Sequence, residues 1–305
     1  MSSATIELLT SPEFLRALIF GAIAAAMVGA VAHRRPPDRM GLVGIGLTVS
    51  FIAVSIATQA STPQLGGVVL VGLIAVGVVG TIQMPLAMRM AAAIPGAWLI
   101  AWSIDGLELT ARLLILVAIA AGGALVADTD HQYRTTSVGP LLIIISVVGI
   151  FFAVPDTESA LLLLGVSLPF LLTAWPKPIA SLGSPGAMMM TALLMWVAAT
   201  GSAGRLAVVV GATATLGILV AEPVVRRVVP GPVRTMGGDA VMVAAAQLVV
   251  VFVASRLAAS ARSTLMAVSL ASLTLSLAAA SAYGLRYAPA SAKHDGVLPP
   301  NSLDR

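Results

Sequence analysis

The chain consists of long apolar runs separated by short polar breaks. Charged residues and Pro/Gly clusters divide it into eleven runs, each close to the roughly 15 to 23 residues of a tilted or slightly short membrane span. Runs of this kind predict helices, because an unpaired strand edge would leave backbone N–H and C=O groups without partners in hydrocarbon. The runs are 14–32, 41–60, 65–83, 90–104, 112–127, 138–154, 159–175, 185–201, 205–221, 239–255 and 263–285.

Composition supports this interpretation. With 58% hydrophobic residues, 10% charged residues and a mean hydropathy of +1.01, the chain carries more apolar side chain than one water-soluble core can bury. We therefore predict an all-α polytopic membrane protein with about eleven transmembrane helices. Residues 1–286 form a single transmembrane domain in this prediction, and residues 287–305 form a disordered cytoplasmic tail.

Lysine and arginine counts predict the orientation. With the N-terminus outside and the C-terminus inside, the inner loops and the tail hold twelve of the 17 basic residues, which agrees with the positive-inside rule. The predicted location is the cytoplasmic membrane of a bacterium, with the lipid bilayer as the first partner. No basic run is interleaved with aromatic residues, so nucleic acid is not expected as a partner.

Three similar runs begin at an arginine. They start at Arg16, Arg112 and Arg205, and the first reads "RALIFGAIAAAMVGAVAHRR". Their spacing predicts three repeats of about 93 residues, namely 14–104, 111–201 and 204–285, with four, four and three spans. Chance similarity between helices rich in Ala, Val and Leu is the alternative explanation.

A Pro-Gly-Ala triplet occurs at matching positions of the first two blocks. Pro95 and Gly96 lie in the middle of run 90–104, which is either a short span or a re-entrant hairpin. Pro185 and Gly186 begin run 185–201, where proline is also favoured at the first turn of an ordinary helix. Because interrupted helices at matching positions are typical of solute sites in transporters, all four residues are predicted to bind substrate.

Polar residues inside the runs give three more candidates. Gln247 is the most polar residue at mid-depth, and its amide fits either a solute contact or a bridge to another helix. Ser272 and Ser276 share a helical face that fits either a water-filled solute pathway or close helix packing. A midplane cavity bordered by Gln247 and both triplets would favour transport, and a solid bundle would favour a scaffold. The predicted substrate-binding set is thus Gln247, Pro95, Gly96, Pro185, Gly186, Ser272 and Ser276.

Two groups of acids lie outside the runs. Asp105 and Glu108 form the first; Asp128, Asp130 and His131 form the second, in "ADTDHQYR". The second group fits a divalent cation site, acid-base chemistry or simply a solvated loop, and the loop is the preferred interpretation. The chain has no cysteine and no motif of a known hydrolase, metalloprotease or nucleotide-binding loop. We therefore predict no catalytic residue, no metal ligand and no cofactor.

These features favour a permease-like carrier or facilitator of a small or lipidic solute. The absence of charge near the centre of any run argues against a proton- or sodium-coupled pump. The alternative is a non-transporting scaffold or complex subunit that binds other membrane proteins. An enzyme acting on envelope lipids, based on Asp105 or the Asp128 group, is the third and least favoured hypothesis.

Overall fold

The secondary structure of the described part of the chain consists of helices joined by short non-helical segments. The computed structural model describes residues 7–33, 41–58, 66–132, 138–154, 158–174, 180–202, 205–228, 240–260 and 264–287. These residues are 89% helical and include no strand, which confirms the all-α fold class. The helices are α1 Pro12–His33, α2 Leu42–Ala57, α3 Gly67–Thr81, α4 Leu86–Trp102, α5 Leu109–Val117, α6 Gly123–Gln132, α7 Val138–Ala153, α8 Glu158–Ser167, α9 Leu171–Ala174, α10 Ser184–Gly201, α11 Leu206–Ala214, α12 Ile218–Val228, α13 Ala240–Ser260 and α14 Thr264–Tyr287.

Each predicted apolar run coincides with one helix or one interrupted helix. A π-helical turn, Ala118–Gly122, joins α5 to α6, and a 3-10 turn, Leu168–Phe170, joins α8 to α9. The third interruption separates α11 from α12, whose axes differ in direction by 61°. Of the predicted tail, 287–305, Tyr287 is the last residue of α14, and residues 288–305 lie outside the described residues.

Few of these helices meet the usual length of a membrane span. Among the described residues, Pro12–Ala32 and Leu109–His131 are long and apolar enough to cross a bilayer. The bent pair α11–α12 adds a third span if it is counted as one. Seven other apolar helices are shorter, with 10 to 17 residues. Length and composition therefore support two or three spans, fewer than the eleven that we expected.

Helix ends gather at two opposite ends of the bundle. The first residues of α2, α4 and α10 and the last residues of α3 and α6 line one cavity, at what we call the Asp130 end. The last residue of α4 lies beside the first residues of α3 and the loop before α5, at what we call the Trp98 end. The helices α2, α3 and α4 and the interrupted helix α5–α6 therefore run in alternating directions.

The helix α10 forms the centre of the bundle. It packs against α2, α3 and α6, and most of its side chains are fully buried. Its Trp196 contacts Phe51 of α2 edge-on, with ring centroids 6.3 Å apart. Near its first turn, Gly186 faces the backbone of Gly44 so closely that a Cβ atom would fit at neither residue without movement. Glycine at these positions allows the two backbones to approach, as small residues do in membrane helix pairs.

The helix α4 is continuous through its Pro-Gly-Ala triplet. It runs from Leu86 at the Asp130 end to Trp102 at the Trp98 end, with Pro95 exposed on its surface. Gly96 lies against the Gly72 carbonyl of α3. The hairpin alternative for run 90–104 is therefore wrong, because the helix passes proline on its exposed side while glycine lets α3 approach on the other.

The outer surface is apolar and the interior contains polar groups. On α1, Leu15, Ile19, Ile23 and Met27 follow one another at four-residue intervals and are 49% to 64% exposed. Buried polar side chains include Thr48, Ser146, Asp130 and Gln247. A contiguous apolar exterior of this kind is unusual for a soluble monomer and indicates contact with lipid or with another protein.

The packing gives no support to the three repeats. In the first block α3 and α4 pack along their length, whereas the helices at the matching positions of the second block, α8 and α10, share only a small contact. Similar apolar composition is thus enough to explain the similarity of the runs.

Candidate functional site

The break between α11 and α12 places backbone polar groups in the interior. The chain leaves the helix at Thr215 and resumes it at Ile218, with Gly217 at a φ of +43° that favours glycine. Such a break leaves N–H groups at the start of α12 and C=O groups at the end of α11 without helical partners.

Gln247 of α13 supplies these partners. Its Oε1 accepts a hydrogen bond from the Ile218 N–H at 2.9 Å, and its Nε2 donates to the Thr215 carbonyl at 2.9 Å. The Ser146 hydroxyl of α7 also donates to the Thr215 carbonyl, and Gln247 Nε2 lies 3.3 Å from the Ser146 oxygen. Gln247 is fully buried. Both ends of its amide are thus used to bridge helices and cap the break.

A second buried contact stabilises α12 beyond the break. Pro223 has no N–H, so the Leu219 carbonyl four residues earlier cannot form the usual helical hydrogen bond. The Thr129 hydroxyl of α6 donates to this carbonyl at 2.8 Å and is itself buried. Three side chains distant in sequence, those of Gln247, Ser146 and Thr129, therefore satisfy the irregular backbone of α11 and α12.

Asp130 connects α6 to the segment that precedes α10. Its Oδ2 accepts a hydrogen bond from the Gly183 N–H at 2.8 Å, and its Oδ1 accepts one from the Leu182 N–H at 3.2 Å. On the other side of this segment, the N–H groups of Val43 and Gly44 donate to the carbonyls of Ser181 and Leu182. Asp130 is only 1% exposed. It therefore belongs to a packed junction between α2, α6 and α10, and not to the solvated loop that we preferred from sequence.

Asp128 has different partners. It accepts hydrogen bonds from Arg226 and from Arg227, the latter at 3.1 Å, both at the end of α12. Since Asp128 and Asp130 are engaged with different elements, they do not form a shared carboxylate pair. Within the described ranges, no three His, Cys, Asp or Glu side chains are grouped as metal ligands would be. Arg134 lies outside those ranges.

A cavity of about 470 Å³ opens at the Asp130 end, between α2, α3, α4, α6 and α10. Polar side chains supply much of its wall, and Pro185 of the second Pro-Gly-Ala triplet also lines it. Its polar lining residues are Thr81, Gln83, Arg89, Asp130, His131, Ser181 and Ser184.

Arg89 places a guanidinium in the wall of this cavity. Its guanidinium is half-buried on the first turn of α4 and makes one long hydrogen bond, from Nη2 to the Met84 carbonyl at 3.4 Å. Its Nε is buried and has no hydrogen-bond partner in the described part of the chain. A guanidinium presents five donors, so several remain for a ligand.

The structure does not gather the predicted substrate-binding residues into one site. Pro95, Ser272 and Ser276 are exposed on the outside of the bundle. Gly96 and Gly186 are pressed against neighbouring helices, and the Gln247 amide is engaged at the helix break. Pro185 alone of the seven lines the cavity at the Asp130 end. Whether any of them contacts a solute stays a prediction.

Sequence reasoning missed the lining of the cavity. Thr81 and Gln83 were not among the candidates from sequence, and Arg89 was counted only as a basic residue for membrane orientation. The sequence signal for these residues was Pro85, which Thr81 and Gln83 precede and Arg89 follows. The turn at Pro85 separates α3 from α4 and places the end of α3 close to the start of α4.

The acids near Asp105 lie at the opposite end. Asp105 borders a shallow groove of about 430 Å³ with Trp98 and Trp102, whose rings stack 3.5 Å apart. Arg112 donates to the Trp102 carbonyl at 3.1 Å and to the Leu107 carbonyl at 3.1 Å, and thereby caps the end of α4. Asp105 and Asp130 are thus at different ends of the bundle and cannot share one reaction centre.

Comparison with known families and proteins does not assign a function, because no family model matches the chain and no curated protein is significantly similar to it.

Proposed function

We propose that this chain is a multi-pass protein of the bacterial cytoplasmic membrane with eleven crossings and its Asp130 end in the cytosol. The exposed aliphatic face of α1 and the alternating directions of α2 to α6 support this topology. Arg89, Arg226 and Arg227 belong to the Asp130 end, as the positive-inside rule requires. Helices of 15 to 17 residues would cross where the bilayer is locally thin or where flanking side chains extend to its surface.

Within that topology we propose a permease-like carrier or facilitator of a small solute. The observation that carries this proposal is the cavity of about 470 Å³ with a polar lining, which is open at the Asp130 end and lined by the ends of five helices. Its volume lies within the range of about 300 to 1,000 Å³ that is usual for small-molecule sites. Solute would enter from the cytosol and meet the first residues of α10 at that end of the bundle, not at its midplane.

The test is release of solutes from proteoliposomes. Vesicles containing the full-length protein are loaded with a defined mixture of small carboxylates, phosphates, amino acids, sugars and polyols, and the retained amounts are measured by mass spectrometry. We expect at least one solute to leave faster than from protein-free vesicles. Ser184→Trp, which fills the cavity, should abolish this release, and Ser272→Trp, on the exposed face of α14, should preserve it. Equal retention with and without protein would contradict the carrier proposal.

A non-transporting scaffold is the second candidate. One observation favours it: Gln247, the most polar residue expected at mid-depth, is used to cap the helix break, with both ends of its amide engaged. In that case the exposed apolar faces would bind other membrane proteins, and the solute-release test would be negative for every member of the mixture. The envelope-lipid enzyme is weaker, because Asp130 binds the N–H groups of Leu182 and Gly183 and Asp128 pairs with two arginines, so both acids of that group are engaged in structural contacts.

A further inference from the structure

We propose that the cavity at the Asp130 end binds an oxyanion, either a carboxylate or a phosphate group, through the guanidinium of Arg89. This inference rests on the proposed function in one respect, since it assigns a chemical class to the solute of that same cavity. The binding itself does not require transport, so the two proposals can fail separately.

The first argument is the state of Arg89. A guanidinium is always charged, and burial without a compensating anion is costly. Arg226 and Arg227, at the same end of the bundle, share the carboxylate of Asp128. Arg89 instead makes one 3.4 Å hydrogen bond to a carbonyl, and its buried Nε has no partner in the described ranges. An oxyanion in the cavity would complete its coordination, and a guanidinium matches the two oxygens of such a group.

The second argument concerns which charged side chains a ligand in the cavity can reach. Asp130 also lines it, but the residue is only 1% exposed and its two oxygens accept hydrogen bonds from the N–H groups of Leu182 and Gly183. His131, which follows it, is exposed at the rim. A ligand would therefore reach Arg89 more readily than the Asp130 carboxylate.

Neighbouring donors are suited to an anion as well. Thr81 and Ser184 carry hydroxyl groups on the wall of the cavity, and Gln83 carries an amide. The volume of about 470 Å³ holds a group larger than a single ion, so a small organic anion or a lipid headgroup fits.

The test measures equilibrium binding of labelled inorganic phosphate to the full-length protein in nanodiscs of zwitterionic lipid. Succinate serves as the carboxylate competitor, and nanodiscs containing phosphatidylglycerol test whether a lipid headgroup occupies the same site. We expect saturable binding that Arg89→Gln weakens about tenfold or more, since hydrogen bonds to charged groups contribute about one such factor each. The affinity of the Arg89→Lys variant should lie between those of the unsubstituted protein and Arg89→Gln. Lysine keeps the positive charge but cannot form two parallel hydrogen bonds to one oxyanion.

Arg16→Gln is the matched control, since Arg16 is exposed on α1 and does not line the cavity. Competition by succinate would identify a soluble anion as the source, and competition by phosphatidylglycerol would identify a lipid headgroup; both support the site. The proposal is overturned if neither phosphate, succinate nor phosphatidylglycerol binds in a manner that depends on Arg89. Binding that depends on Arg89, without solute release from proteoliposomes, would preserve the anion site and reject the carrier.

Discussion

Asp130→Ala should lower the free energy of unfolding by about 3 kcal/mol or more. The substitution removes the acceptor of the buried Leu182 N–H and of the part-buried Gly183 N–H, and each unsatisfied buried donor costs about 1 to 3 kcal/mol. The loss should be large because the segment before α10 also accepts hydrogen bonds from the start of α2. Displacement of this segment would therefore disturb the junction of α2, α6 and α10. Reversible unfolding of the purified protein in mixed detergent micelles measures the change.

Asp105→Ala is the matched control. Asp105 is exposed at the Trp98 end, and a substitution at an exposed position usually changes stability by about 0.5 kcal/mol or less. The control should therefore unfold close to the unsubstituted protein. Equal losses for the two variants would show that Asp130 does not have the special role that its contacts indicate.

Gln247→Leu should lower the free energy of unfolding by about 2 to 4 kcal/mol. Leucine has a similar volume, but it leaves the Ile218 N–H without an acceptor and removes one donor from the Thr215 carbonyl. The same unfolding measurement applies. Near-native stability of this variant would contradict the assignment of Gln247 as the cap of the helix break.

Two further variants separate the cap from a general effect of the substitution. Gln83→Leu makes the same change at an exposed position and should alter stability by less than about 0.5 kcal/mol. Ser146→Ala removes the second donor to the Thr215 carbonyl, and its effect should not add independently to that of Gln247→Leu. Additive effects would indicate that the two side chains act on separate parts of the structure.

The sequence predicted the positions of the helices well because their lengths follow from local hydrophobicity. Each uncharged run became a helix or an interrupted helix, and even the doubtful runs at Pro95 and Pro185 form continuous helices. Proline was a poor guide to interruption. Pro95 is tolerated on an exposed face, whereas the largest bend lies at Gly217, a position that resembled the other glycines of the runs.

The contacts of the candidate site were harder to predict because they join residues far apart in sequence. Asp130 binds backbone groups 52 and 53 residues later, and Gln247 binds a backbone group 29 residues earlier. Composition marked Gln247 as unusual but could not distinguish a solute contact from a helix cap. The partners of Asp130 lie in the non-helical segment before α10. No periodic pattern of apolar residues predicts the conformation of this segment.

The most direct test of the membrane topology uses the two ends of α4. The chain contains no cysteine, so Gln83→Cys before the helix and Asp105→Cys after it can each be labelled without interference. Ile23→Cys on the exposed apolar face of α1 is the third probe. On intact cells, a membrane-impermeant maleimide should label position 105 and leave position 83 unlabelled until the cells are permeabilised, while position 23 should react in neither case. Labelling of positions 83 and 105 from the same side, or ready labelling of position 23, would contradict a bundle that crosses the membrane.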